Sequence, residues 1–442
     1  MSLSISVPAN AEAPGPFGSL GSTGSLGSAA CSSSAAPRDP LGMSMLDTAD
    51  QRAVETAARA LVDLPAVVDA ERTLIEKLRQ TPPHADPATA ADLEGYAAGL
   101  AWSQATKVAR ELDPLPRAVW GQQPNGRYGL DNPDNVYRTI SVDDTGSFVV
   151  TGRRNSSFDV YFQLMDAGAG DGTLGNTLGF LSGDRLLTEP DGSFTITLSP
   201  EPATGTANHI QLLPGAKHLV VRDTLSDWGS QNPTTLSVSR TAGTFTPPSY
   251  DPEQEVARLV AAHGDFWNAY VEGLGAIPVG GLQPPRPSQG GLPGQVSAFG
   301  RFAPRDDEAT VITVDRADAG YLGLQLGNYW FTSLNYWDHN SSFNGAQSVP
   351  DADGKVTFVL SKRDPGVCNW IDPVDHGAVL LFLRWQNLPD DRTPARPVVT
   401  TVPFAQLDSS LDPAVARATP ADRIQQLIER RISFDRRGAS LP

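Results

Sequence analysis

Two cysteines in 442 residues, Cys31 and Cys368, are too few for a disulfide framework or a CxxC-type zinc site. A reducing cytoplasm is the simplest compartment for such a chain. Histidine is nearly as scarce. His84, His209, His218, His263, His339 and His376 show neither HxH nor HExxH spacing, so no metal site is expected. Basic residues are outnumbered, 34 Lys and Arg against 50 Asp and Glu, and the net charge of −16 argues against nucleic acid or an anionic membrane as a partner. Long apolar runs are missing too: "AVLLFL" at 378–383 falls far short of the roughly 20 residues that span a bilayer, so no transmembrane helix is expected. No charged n-region precedes an apolar h-region, so secretion is not supported. There is no GxSxG elbow, and neither "GAGDG" nor "GLGAIPVGG" lies between a strand and a helix with phosphate-loop spacing. No cofactor is expected.

What remains is an ordinary globular balance, 40% hydrophobic and 19% charged, in a chain long enough for two or three domains. Residues 1–46 are Ser/Gly/Ala/Pro-rich and carry too little apolar surface to offset ordering, so this tail is expected to be disordered, with docking to a protein partner as an alternative role. Helices follow over 47–112. Thr48 and Asp50 are cap candidates, Val54, Ala58, Leu61 and Val62 share a face, and Pro65 interrupts; a second stretch runs from Ala88 to Leu112. From Tyr137 the period changes to two, in "FVVTGRR", "DVYFQLM", "SFTITLS" and "HLVVRDTL".

The programme then repeats. A helix at Pro252–Leu274 is followed by "TVITVDR", "YLGLQLG", "KVTFVLS" and "VLLFLRWQ". Adding 162 carries Thr151 to Thr313, Arg154 to Arg316, Gln163 to Gln325, Asp191 to Asp353, Gly192 to Gly354 and Arg222 to Arg384. A duplication explains this, and the fold class is mainly β with flanking helices: two tandem sandwich units, 113–248 and 251–405, with the second including its own helix. The remainder, 406–442, is read as a C-terminal helix and tail, amphipathic from about Ala421 to Arg431 with Ile424, Leu427, Ile428 and Ile432 facing the body.

The second unit, with "YLGLQLGNYWFTSLNYWDHN", "DGKVTFVLS", "CNWIDPVDHGAVLLFLRWQ" and "PVVTTVPFAQL", resembles the bacterial domain-of-unknown-function family numbered twelve-fourteen. The resemblance covers about 300–400. It implies an antiparallel β-sandwich of jelly-roll character and assigns no catalytic residues.

Residues kept in both copies read as scaffold, and differences read as function. Asp191, Gly192, Asp353 and Gly354 are turn chemistry. Arg222 and Arg384 interrupt apolar strands, where a buried guanidinium needs either a structural ion pair or a bound anion. The copies diverge most at 164–182 and 326–344. Only the second concentrates Trp330, Tyr336, Trp337, Asp338, His339 and Asn340, the mixture of aromatic faces and polar groups that a concave site uses. Core packing by the two tryptophans is the competing role.

Trp370, Asp372, His376 and Arg384 extend the candidate site on neighbouring segments. His339 with Asp338, and His376 with Asp375, are neighbour pairs able to move a proton only if their segments are loops, because adjacent residues of a strand face opposite ways. Asn155 and Asn340 match a glycosylation acceptor by pattern only. The first functional reading is therefore a cytoplasmic protein binding a small amphipathic or hydroxylated ligand through the second unit. The alternatives are an enzyme doing acid–base chemistry (elimination, isomerisation or hydrolysis) in the same pocket, with His339 or His376 as proton carrier and Arg384 holding an anion, and an assembly protein docking through its tail.

Overall fold

The structure, a computed structural model, describes Cys31 and residues 46–122, 124–203, 205, 208–288 and 291–437. The remainder of the expected disordered tail lies outside the described residues. Seven α-helices are present among them: α1 (Ala49–Val62), α2 (Pro65–Leu78), α3 (Pro87–Ala91), α4 (Leu93–Leu112), α5 (Pro252–Leu274), α6 (Leu407–Ser410) and α7 (Pro420–Arg436). Thr48 caps α1 by accepting from Gln51 N, and Pro65 occupies the first turn of α2, where its missing N–H leaves no bond unmade. The single helix expected at 88–112 is divided at Asp92, giving α3 and α4. Helices α1, α2, α4 and α5 bury a common cluster that includes Val54, Leu74, Leu100 and Leu259.

The two sandwiches expected from the repeat are present. In the first, a sheet ordered Val119–Trp120, Asn135–Ser141, His218–Thr224, Asp159–Met165, Thr177–Ser182 packs on one ordered His209–Gln211, Ser193–Ser199, Ser147–Arg153, Thr235–Ala242. The second repeats this order with Gly281–Leu282, Val296–Phe302, Val379–Gln386, Tyr321–Gly327, Ser342–Asn344 over Trp370–Ile371, Val356–Leu360, Glu308–Val314, Val398–Pro403; Arg286–Pro287 also pairs with Val296–Phe302. Register is duplicated as well. Thr151 pairs with Thr195 and Gln163 with Val220, as Thr313 pairs with Thr357 and Gln325 with Phe382. Both "DG" turns have the same form: Gly192 (φ 82°) and Gly354 (φ 81°) take the left-handed backbone that glycine adopts without penalty, and Asp191 and Asp353 accept a backbone N–H two residues on.

The two sheets of each sandwich differ in burial. Asp159–Met165, Tyr321–Gly327 and Val379–Gln386 are buried at every position, whereas Thr235–Ala242 and Val398–Pro403 are buried at none. One sheet of each unit therefore faces inward and is covered on both sides. Segment 128–135 joins the units. Leu130 N donates to Phe331 O (2.7 Å), Gln325 Nε2 to Asp131 O (2.8 Å), Asn132 Nδ2 to Tyr321 Oη (3.0 Å) and Asn344 Nδ2 to Asp134 Oδ1 (2.7 Å).

Two expectations are corrected. Cys31 and Cys368 form a disulfide across a sequence separation of 337 residues, because the chain returns Cys31 to the second unit from far upstream. This removes the ground on which a reducing compartment was inferred and ties residue 31 to the fold. Helix α7 extends from Pro420 to Arg436, but it packs on the face opposite to the one its isoleucines suggest: Ile424, Ile428 and Ile432 are 61%, 47% and 41% exposed. The buried face carries Arg423, Arg430 and Phe434. Arg423 lies over Trp370 and Arg430 over Trp228, and their guanidiniums donate to the carbonyls of Val367 (2.6 Å) and Tyr336 (2.8 Å).

Candidate functional site

A partly open cavity of about 300 Å³ lies between the inward sheets, roofed by α4 and α5. Strand alternation builds its walls. In His218–Thr224, Leu219 and Val221 enter the first core while His218, Val220 and Arg222 face the cavity; in Val379–Gln386, Leu381 and Leu383 enter the second core while Phe382 and Arg384 face the cavity. The positions matched by the duplication thus open on one shared space. Helix α4 contributes Ser103, Gln104, Lys107 and Arg110 from one face, and α5 contributes His263, Trp267 and Tyr270. Segment 128–132 passes beside them. Gly129 (φ 68°) crosses the Trp267 ring so closely that a Cβ there would lie 2.8 Å from it, and Leu130 and Phe331 both adopt left-handed backbone (φ 51° and 61°).

The polar groups are mostly donors. Arg384 donates to Leu130 O (2.8 Å) and to Gln325 Oε1, with its guanidinium 4.0 Å from the Phe382 ring centroid. Arg222 lies 5.6 Å over Tyr137; its Nε is buried, and the guanidinium makes no hydrogen bond to a described residue. Neither arginine has a carboxylate at ion-pair distance among the described residues, so the structural ion pair expected for them is absent. Arg110 Nε donates to Ser141 Oγ (2.9 Å), and Lys107 pairs with Glu111 (3.1 Å).

Burial pulls the pKa of Arg110, Arg222 and Arg384 below the usual guanidinium value. His263 Nδ1 accepts from Gln104 Nε2 (2.6 Å), which places the ring proton on Nε2, and that buried atom has no partner. Burial, then Lys107, pushes its pKa down to about 3; His218 falls to about 4 through burial and the charges of Arg110 and Lys107. The indole Nε1 of Trp267 is also buried and unpartnered. The one lining carboxylate among the described residues, Asp131, is held by Ser333 N (3.2 Å) and Oγ (2.7 Å), and burial raises its pKa.

Of the second-unit candidate site residues, Arg384 reaches this cavity, as does its first-unit match Arg222, and the others are elsewhere. Trp330 is in the helical core, stacked 6.2 Å from Tyr96 and donating from Nε1 to Thr89 O (2.5 Å). Tyr336 and Trp337 pack with Trp228 and Phe434, the Trp337 and Phe434 rings stacking at 5.0 Å. Trp337 and His376 border a second groove of about 740 Å³ between the helices and the second unit, where His376 Nε2 is 3.0 Å from Asp92 Oδ2.

The neighbour pairs separate. Asp338 pairs with Arg431 (2.9 Å), whereas His339 Nδ1 meets Asp372 Oδ2 (2.8 Å). His376 likewise takes Asp92 in place of Asp375. Asn340 donates to Gln426 Oε1 (2.7 Å), and Trp370 to Ser361 O (2.8 Å). Nothing in the sequence pattern marks Tyr137, His263 and Trp267 as lining this cavity. Arg222 is marked by its match to Arg384, for which the sequence offers a structural ion pair or a bound anion. Among the described residues, no group of three or more His, Cys, Asp or Glu is placed to hold a metal ion.

Among solved structures, an uncharacterised protein from Burkholderia cenocepacia is 27% identical, with a TM-score of 0.70 over 79% of this chain and 99% of that chain. A protein from Vibrio parahaemolyticus is 11% identical over 70% of this chain and 97% of that chain, with a TM-score of 0.42. No family model and no curated protein matches the chain.

Proposed function

We propose that the chain binds a small amphipathic or hydroxylated molecule, and that the site is the cavity between the two sandwiches and not the aromatic loop of the second unit. One observation carries this reading. Arg222 and Arg384, equivalent positions of the two copies, converge on a single space that is also lined by Tyr137, Trp267, Phe299 and Phe382. Such a volume, with aromatic faces and a few directed polar groups, is the common form of a small-molecule pocket. The acid–base enzyme reading has less support, because it required His339 or His376 beside Arg384 and the three face different surroundings. The disulfide favours an oxidising compartment over the cytoplasm. Kinship with the domain-of-unknown-function family, and the jelly-roll character it implies, rests on the quoted segments and on the sandwich fold.

The test is native mass spectrometry of the protein purified from its own cells. A mass excess of a few hundred daltons is expected, and Val220→Phe, which fills the cavity, should abolish it. The same excess in both proteins, or none in either, overturns the assignment.

A further inference from the structure

The cavity's hydrogen-bonding groups are unevenly matched. His263 is 2% exposed and Trp267 7%, yet His263 Nε2 and Trp267 Nε1 are buried without acceptors, as is Nε of Arg222. A buried donor left unmet costs about 1–3 kcal/mol, so three around one space call for an acceptor-rich occupant. Charge points the same way. Among the described residues five cations line the cavity, of which Lys107 already pairs with Glu111, and the one carboxylate, Asp131, already accepts twice from Ser333. A cationic ligand would meet repulsion, and a hydrocarbon would leave the donors unanswered. An oxyanion answers both, because guanidinium donors match its geometry. Arg222 is the natural first contact, since it makes no hydrogen bond to a described residue. Tyr137 pairs with Arg222 across adjacent strands, and its ring lies 5.6 Å from the Arg222 guanidinium. Beside Arg384 the lining is apolar: Phe299 and Phe382 stack at 4.0 Å with 10° between their planes, and the Arg384 guanidinium lies 4.0 Å from the Phe382 ring centroid.

Resting on the proposal that this cavity is the ligand site, we infer that its ligand is a planar organic anion, with the oxyanion held by Arg222 and Arg384 and the flat body against the Phe299 and Phe382 side of the cavity. The acidic surface of the whole molecule does not oppose this, because solvent screens the distant surface carboxylates far more strongly than it screens the short contacts a ligand makes with buried donors.

The test is calorimetric titration of the full chain with 2-naphthoate and with 2-naphthamide, which share a body and differ in charge. Naphthoate should bind at least tenfold more tightly. Arg222→Gln should remove that preference while leaving the melting temperature nearly unchanged, because Arg222 bonds to no described residue. Should Arg222→Gln fail to fold, Arg286→Gln, an exposed lining position, should weaken naphthoate several-fold and leave naphthamide unaffected. Equal binding of the two probes, or a preference that survives both substitutions, overturns the anion assignment and leaves the cavity a ligand site. If neither probe binds while native mass spectrometry still shows a bound molecule, the anion assignment alone falls. If neither probe binds and no bound molecule is found, both readings fall.

Discussion

Trp337 stacks on Phe434 beneath the guanidinium of Arg127, 4.8 Å from its ring, and is 7% exposed. Its truncation to alanine should therefore cost about 3–5 kcal/mol of folding free energy, as a core cavity does. Denaturant unfolding measures this, and naphthoate binding to the folded fraction should be unchanged; a loss of binding without a loss of stability would return the site to the aromatic loop. The sequence showed an excess of capable side chains in one copy, but composition does not say what a side chain packs against. Trp330, Tyr336 and Trp337 are aromatic because α4 and α7 need large partners there.

His376 makes a pH-dependent contribution. Its ring nitrogens meet Asp92 Oδ2 on one side and the carbonyls of Pro373 and Val374 on the other, so both carry protons. Burial opposes the charged form, but Asp92 and the Val374 carbonyl outweigh it and raise the pKa above 6.5. That stabilisation is complete below 6.5 and is lost as pH rises through the raised value. The melting-temperature gap between the native protein and His376→Gln should be wider at pH 5.5 than at pH 8.5.

Helix α7 shows how far an apolar stripe can mislead. Its isoleucines recur every four residues and would normally mark the packed side. Here the partner surface offers tryptophan faces and open carbonyls, which arginine meets with its stem, plane and N–H groups together. Arg430 donates to Tyr336 O and to Ser342, and burial lowers its pKa to about 10. Arg430→Ala should cost about 1–3 kcal/mol for each group left unmet, whereas Ile428→Ser should fall within about 0.5 kcal/mol, the range of exposed substitutions. Thermal unfolding of the two variants compares them directly. The strands were more legible, because period-two alternation reports which residues enter a core. It could not report that one sheet of each sandwich is covered on its second face, and so "LVVR" and "LFLR" showed their arginines without showing the shared space they enter.

For the whole molecule, the duplication was readable as a constant offset of 162, and two sandwiches with matching strand order follow from it. The packing of the copies against each other was not readable, since it depends on segment 128–135, which obeys no periodicity. Nor was the disulfide, because two cysteines 337 residues apart leave no local trace. Cys368→Ser should destabilise the protein by about 2–4 kcal/mol, and so should any truncation that removes Cys31; calorimetric melting with and without reductant checks both. The bond also changes what the polypeptide is topologically. From Cys31 to Cys368 the main chain is a closed covalent ring from which residues 1–30 and 369–442 emerge as branches, so a single cut inside it opens the ring without dividing the molecule. A protease that nicks one exposed loop, such as that at 187–191, should leave a single band on a gel run without thiol and two fragments once thiol is added.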